Sequence, residues 1–396
     1  MWVSRLRGKT YPRLRLDISP GDLLAGLGFC GSFCNREREV EAIQGFWGEE
    51  VLVALSVRTG FDLLLQALPL PPESQVLMSG VNIENMFAIV AAHHLIPVGV
   101  DVDFETLSPD LQDFEAKVND KTCLCVIAHL FGSIVPLEPY AAICQQRGIM
   151  LVEDCAQGFA GGGYVGHSEA DVSLFSFGPI KSATALGGAV VRVRDESLRG
   201  KMAAIETKYD SKTRFWYSKR LLKYLGLQFL SQPWFYDKLL FILKQMGVDR
   251  DRAIASLARG FSSGDLLPKL RYRPPTPMIA LLRRRLQSGW DGKIRTETAQ
   301  KFLNCLDSAV MIPGKAAKNH SFWLVAIATH NPATLMVRLR ENGFDATQGA
   351  TSLRAMADCP VAKHILEQIL YLPVSPFMPE SELLRLAALI NDIKSV

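Results

Sequence analysis

A chain of 396 residues, 48% hydrophobic and 21% charged, can bury a sizeable core and reads as globular, with domains of unequal size. Its formal charge of +4 is too small to argue for a nucleic-acid partner, none being expected, and no stretch reaches the roughly 18 to 20 uncharged apolar residues of a membrane span. The basic opening, MWVSRLRGKTYPRLRL, lacks the apolar stretch of a secretory signal, and of the eight scattered cysteines only Cys30 and Cys34 lie close. Reduced thiols in a cytoplasmic protein, with no metal site, are the expectation.

Residues 1–40 read as an N-terminal arm. From Val51 onward, strand-like apolar runs alternate with amphipathic segments, the signal of βαβ units around a mainly parallel sheet, an α/β fold. Phe61, Leu64, Leu65 and Leu68 follow helical spacing, and Thr59 with Asp62 resembles a capping pair at that helix's start. Strands are predicted at Gln75 to Ser79, Ile96 to Val102, Cys123 to Leu130, Met150 to Cys155, Val172 to Phe177 and Ala189 to Val193. A helix from Pro136 to Arg147 closes at Gly148, and Gly187-Gly188 suits a tight turn. Residues 41–200 therefore form a large domain. Residues 201–290 read as helical and aromatic, interrupted by Pro233, Gly247, Ser262-Ser263-Gly264 and Pro274-Pro275-Thr276-Pro277. Residues 291–396 form a small α+β domain, with helices at Glu297 to Leu306, Ala333 to Asn342 and Glu380 to Ile393, and strands at Ser321 to Thr329 and Tyr371 to Val374.

The chemistry concentrates in residues 149–190. An apolar run ends in Glu153-Asp154 and a second is followed by Lys181, so an acid and a lysine sit past the carboxyl ends of successive strands, where open α/β sheets bind ligands. A lysine that forms a Schiff base with pyridoxal phosphate (PLP), facing an aspartate on the pyridinium nitrogen, is the minimal equipment for PLP chemistry.

The motifs EDCAQ (153–157) and SLFSFGPIKSATALGGAVV (173–191) resemble the DegT/DnrJ/StrS family of PLP-dependent aminotransferases, best known for aminating keto-sugars on nucleotide carriers. LIPVGVDVDFETLSPD (95–110) and CVIAHLFGSIVPLEPYAAICQQRG (125–148) match the family's intervening elements. The likeness covers residues 45–200 well and 295–396 loosely. It implies the PLP-transferase fold, a mainly parallel seven-stranded sheet with a small C-terminal α+β domain, working as a homodimer. It implies transamination from an amino acid, glutamate being the usual donor, to a carbonyl acceptor. Lys181 matches the Schiff-base lysine, which the family's dehydratase branch replaces by histidine. Asp154 matches the partner of the ring nitrogen, Gln157 the glutamine beside the ring hydroxyl, and Ser176 a hydroxyl on the cofactor phosphate. For His129 two roles stand, a cofactor contact or a packed structural histidine. Two other readings stay open: a PLP enzyme for a lipid-linked or natural-product substrate, and, from a different class, a catalytically silent binding protein of the same fold.

The chain departs from the family at three places. Ser56-Val57-Arg58-Thr59-Gly60 replaces the usual Ser-Gly-Thr of the phosphate cup. Either Arg58 adds a phosphate contact, or it is solvated and Thr59-Gly60 occupy the cup. At the aromatic that stacks on the ring the chain has Val81-Asn82-Ile83-Glu84-Asn85, where Asn82 can reach the cofactor. Past residue 200 the family's cross-subunit tyrosine and Gly-Asn-Arg stretch are missing. Residues 211–245 instead hold nine aromatics and seven Lys or Arg against one Asp. That segment reads either as a helical element packed on the large domain or dimer partner, or as a peripheral membrane contact.

Overall fold

The computed structural model describes residues 8–13, 15–48, 50–161, 163–251, 253–254, 266–349 and 352–392. The strands are β1 (Val51–Ala54), β2 (Gln75–Ser79), β3 (Val81–Ile83), β4 (Ile96–Val100), β5 (Thr122–Ala128), β6 (Ser133–Ile134), β7 (Met150–Asp154), β8 (Val172–Ser176) and β9 (Ala189–Val193). Seven of them make one sheet in the order β1-β9-β8-β7-β5-β2-β4, in which only β9 runs antiparallel to its neighbours. This is the α/β sheet that the alternating pattern requires. The strands are apolar on both sides because both faces are covered.

The helices of the first 245 residues are α1 (Pro20–Gly31), α2 (Arg36–Trp47), α3 (Val57–Ala67), α4 (Glu84–Ala92), α5 (Leu111–Lys117), α6 (Glu138–Arg147), α7 (Glu196–Glu206), α8 (Arg214–Leu230) and α9 (Pro233–Gln245). On one sheet face Val76, Val126, Leu174 and Val191 pack against Phe61 and Leu64 of α3 and Met202 of α7. On the other, Leu77, Cys125, Ile127 and Leu151 meet Phe114 of α5 and Tyr140 and Cys144 of α6. Alternate residues of β5 thus serve opposite cores, as strand period demands. Gly148 takes the left-handed conformation, φ 65°, that closes α6.

Three local readings change. The capping pair lies one step upstream: Ser56 Oγ accepts the Thr59 amide at 3.2 Å, so Ser56 caps α3. Asp62 is instead a buried hub, accepting from Arg271 Nε at 3.1 Å and Gln66 Nε2 at 2.8 Å, with His93 Nε2 at 2.8 Å. Residues 20–47, inside or beside the expected arm, are the helices α1 and α2, and Leu23, Ile43 and Trp47 sit in a third core with Phe175, Tyr217 and Leu281. The strand expected from Ser321 begins at Val325, because the preceding chain turns through a positive φ at Phe322 (45°).

In the C-terminal part, Val325–Ala328 pairs with Ile369–Leu372, and helices Lys293–Leu303, Pro332–Glu341 and Glu380–Asn391 flank them. Strand Leu353–Ala355 pairs with β3 and Asn319–His320 with β6, so this part is stitched to the large sheet's rim. Ser262-Ser263-Gly264 and residues 1–7 of the basic opening lie outside the described residues.

Candidate active site

β7 and β8 are parallel neighbours, Asp154 opposite Leu174, so their carboxyl ends open side by side. Asp154, the last residue of β7, is buried, and its Oδ1 accepts the Ala156 amide at 2.9 Å. Burial raises its pKa, against the lowering by that amide and the charge of Lys181. Lys181 follows β8 on a turn in which its amide donates to Gly178 O at 3.0 Å. Its Nζ lies 3.8 Å from the centroid of the Trp323 ring, and the indole N–H is fixed by Ile180 O at 2.9 Å. Burial, with Asp154 opposing and Arg58 adding, lowers the ammonium to about 7. Trp323 lies far from Lys181 in sequence, and no local pattern marks it.

The turn after Lys181 is strained and heavily held. Ala183 (φ 48°) and Leu186 (φ 60°) are left-handed without being glycine, at roughly 1–2 kcal/mol each. Asp17 from the N-terminal segment accepts the Ala183 amide at 3.1 Å, and Arg295 joins it by donating to Asp17 Oδ2 and to Ser182 Oγ, both at 2.7 Å. From the other side, the Tyr217 hydroxyl donates to Ala185 O at 2.7 Å and Arg220 Nε donates to Leu186 O.

The same turn reaches the start of α3, since Gly188 donates to Leu55 O at 2.9 Å. Ser176 ends β8 opposite Ala189. Here the cup alternatives separate. Thr59 is fully buried, its amide on Ser56 and its hydroxyl on Leu270 O at 3.0 Å, so neither of its donors faces a ligand. A Cβ on Gly60 would stand 2.5 Å from Val191 Cγ2, so that glycine serves close packing of helix on sheet. Arg58 is half-buried, not solvated: burial and the neighbouring Arg220 charge bring its guanidinium down to about 10. Two guanidiniums therefore converge at a helix N-terminus, which itself favours anions. No local pattern marks Arg220, because it lies past residue 200, where the family's cross-subunit tyrosine and Gly-Asn-Arg stretch are missing from the chain.

His129 sits just past β5, fully buried, and its ring nitrogens are spent. Nδ1 accepts the Val135 amide at 3.1 Å, which leaves Nε2–H to donate to Glu153 Oε1 at 2.8 Å. Both ring nitrogens are engaged by protein partners, as in a packed structural histidine, which leaves only the ring face to touch a cofactor. Glu153 also accepts from Ser173 Oγ at 2.7 Å, the His167 amide at 3.0 Å and the Tyr164 hydroxyl. Burial opposes its ionisation, yet His129 and these donors pull its pKa to about 2. His129, Glu153 and Cys155 lie within 4.8 Å of one another at their ligand atoms, but this carboxylate is already saturated by donors.

Gln157 is half-buried, and its Oε1 accepts the amide of Phe131, a residue held at φ 56°. Asn82 is buried in β3; its Oδ1 accepts the Ile83 amide at 2.8 Å while its Nδ2 finds no partner among the described residues. Ile83 and Ile180, the chain neighbours of Asn82 and Lys181, pack on one apolar cluster with Trp323.

The sequence pattern of the DegT/DnrJ/EryC1/StrS aminotransferase family matches residues 36–229. Among solved structures, the chain is similar to PseC of Helicobacter pylori, an aminotransferase involved in pseudoaminic acid biosynthesis, at 15% identity and TM-score 0.71, covering 98% of this chain and 100% of that one. The sugar aminotransferase CalS13 of Micromonospora echinospora is 18% identical, TM-score 0.68, over 96% and 99% of the two chains. NtdA of Bacillus subtilis, solved with bound cofactor PMP, is 17% identical, TM-score 0.70, over 96% and 83%. At such identities these structures speak for the fold.

Proposed function

Because the chain belongs to the DegT/DnrJ/EryC1/StrS family of PLP-dependent aminotransferases, we propose that Lys181 carries its pyridoxal phosphate and that it transfers an amino group from glutamate to a keto-sugar. The observation that carries the site reading is the facing pair at two parallel strand ends: a lysine brought to about 7 and a buried aspartate raised by burial. The residues fit the cofactor. Asn82 Nδ2 is a buried donor lacking an acceptor, and Asp154 carries one amide hydrogen bond and no hydrogen-bonded cation among the described residues.

When bound, PLP supplies an electron sink for the pair left by a departing Cα proton. Lys181 Nζ, brought to about 7, would attach the cofactor and would then be the group that holds and moves the proton leaving the substrate carbon. Asp154 would hold the ring nitrogen protonated, a charge-assisted bond that would offset the cost of burying the carboxylate. Ser176, Arg58 and Arg220 hold the phosphate at the α3 N-terminus, and Gln157 and Asn82 border the ring. Trp323, beneath the ammonium, walls the crevice and excludes water.

The keto-sugar acceptor is supported by the description of CalS13 as a sugar aminotransferase. A homodimer is the working unit this reading adopts, following the family resemblance. Lys181→Ala tests the proposal: the visible band of lysine-bound PLP, about 410–430 nm, and turnover of glutamate with a panel of keto-sugar nucleotides should both vanish. Turnover within tenfold of the parent rejects it.

A further inference from the structure

α8 closes the stretch that matches the family and α9 follows it, and each is amphipathic in an unusual sense. α8 buries Tyr217, Leu221, Tyr224 and Gln228, one stripe at three- and four-residue steps. The opposite stripe is not polar. Phe215, Leu222 and Phe229 of α8 and Trp234, Phe241 and Ile242 of α9 are 47–67% exposed. The two stripes are continuous at the helix junction, where the Phe229 and Phe235 rings stand 4.2 Å apart and Trp234 lies 6.0 Å from Phe235.

Charge accompanies this apolar face. Lys219, Lys223, Lys238 and Lys244 are exposed on it. The Lys219 ammonium lies 4.3 Å from the Phe215 ring and that of Lys238 lies 4.1 Å from Trp234, so the lysine stems run along the aromatics with their heads in water. Between Ser211 and Val248 the only acid is Asp237, and it accepts from Thr10 Oγ1 at 2.6 Å. Lysines beside exposed aromatics, with no carboxylates among them, complement an anionic surface that is apolar beneath.

A second copy of the chain is a poor occupant. A two-fold interface sets the same patch against itself, lysines facing lysines, and lysine is depleted in interface cores. A bilayer accepts both components, apolar side chains roughly 5–10 Å deep and ammonium groups at the phosphate level. Among the described residues no helix is long and apolar enough to cross a membrane, so the contact is peripheral. We propose that the outward face of α8 and α9 docks on an anionic lipid bilayer. The inward face of α8 holds the turn after Lys181 through Tyr217 and Arg220, so docking sets the crevice about one helix diameter, ~10 Å, from lipid.

Co-sedimentation of the full chain with phosphatidylcholine vesicles, with and without phosphatidylglycerol, at low and high salt, tests this. The parent should pellet with the anionic vesicles at low salt and be released by high salt. Phe229→Ala/Trp234→Ala/Phe241→Ala should abolish pelleting. Lys219→Ser/Lys223→Ser/Lys238→Ser, which leaves the apolar face intact, should weaken it roughly a hundredfold, at about fivefold per charge. The PLP band and the thermal midpoint of each variant report its folding. Negligible pelleting of the parent, or salt-independent pelleting equal in the lysine variant, overturns the proposal. So does loss of a parent dimer in the aromatic variant without loss of vesicle binding, which assigns the face to a second copy.

Discussion

The depressed lysine gives the sharpest test of the site, because two substitutions must move it in opposite directions. Lys181 falls from 10.5 to about 7, mainly through burial, with Asp154 attracting the charge and Arg58 repelling it. At pH 7.5 roughly three-quarters of such an amine is neutral, against about one part in a thousand for an ordinary lysine. Only the neutral amine can capture PLP, so capture by the apo protein should rise with a midpoint near 7. Arg58→Ala removes a like charge and should move that midpoint up, by roughly half to one pH unit, since burial remains. Asp154→Asn removes the attracting charge and should move it down by a similar amount. Stopped-flow absorbance of the lysine-bound cofactor between pH 5.5 and 9.5 reads both, and loss of phosphate affinity in the arginine variant changes amplitude and rate but not the midpoint. A parent midpoint near 10.5, or shifts of the same sign, refutes the electrostatic account. The sign for stability follows: a folded pKa below the unfolded one penalises the folded apo protein below about pH 7, and the penalty is relieved as pH rises toward 10.5.

Asp154→Asn should retain PLP, as judged by the visible band after gel filtration, yet lose several orders of magnitude in turnover, because an amide does not hold the ring nitrogen protonated; an unaltered rate places that partner elsewhere. Arg58→Ala should weaken PLP binding by about 1.5–3 kcal/mol for one charge-assisted bond, and Arg220→Ala should do the same by titration with PLP. If the two form one cup, the double variant costs less than the sum of the singles, whereas strict additivity separates them. Glu153→Gln should cost about 3–5 kcal/mol in denaturant unfolding, since it breaks a buried charged cluster. The carboxylate's pKa is about 2 in the fold against 4.5 unfolded, so its contribution is complete above pH 4.5 and fades as pH falls toward 2; the variant's stability should be flatter than the parent's across that window, and parallel curves contradict the assignment.

The sheet was legible because burial on both faces leaves little choice of residue. Gln75 to Ser79 and Ala189 to Val193 match the observed strands to the residue, and Gly148 and Gly187-Gly188 mark turns whose φ values, 65°, 159° and 87°, glycine alone adopts freely. Capping was misplaced by one step because Ser56, Thr59 and Asp62 are equally spaced, and only the tertiary position of Arg271 and His93 tells which polar residue caps and which is buried. α1 was read as part of an arm because its wide apolar surface, Pro20 to Gly31, carries no polar stripe to betray helical period; it packs between α8 and helix Thr276–Gln287.

What stayed hidden in the site came through long-range contacts. A lysine and an aspartate after successive strands announce themselves locally, since strand order puts them side by side. Trp323 under the ammonium, Asp17 on the Ala183 amide and Arg220 beside Arg58 reach the same turn from three distant segments, and no spacing rule links them. Those contacts carry a cost that identifies their purpose. Two left-handed non-glycine residues, an asparagine donor without an acceptor and two adjacent guanidiniums each destabilise the folded chain, and all converge on one crevice. A dianionic group would relieve the guanidinium pair and a ring-side acceptor the Asn82 amide, and the turn after Lys181 is already pinned through Asp17, Arg295 and Tyr217. The strain is thus placed in the crevice at which we propose the phosphorylated cofactor binds, and the parts of the site least visible in sequence are the ones on which that reading most depends.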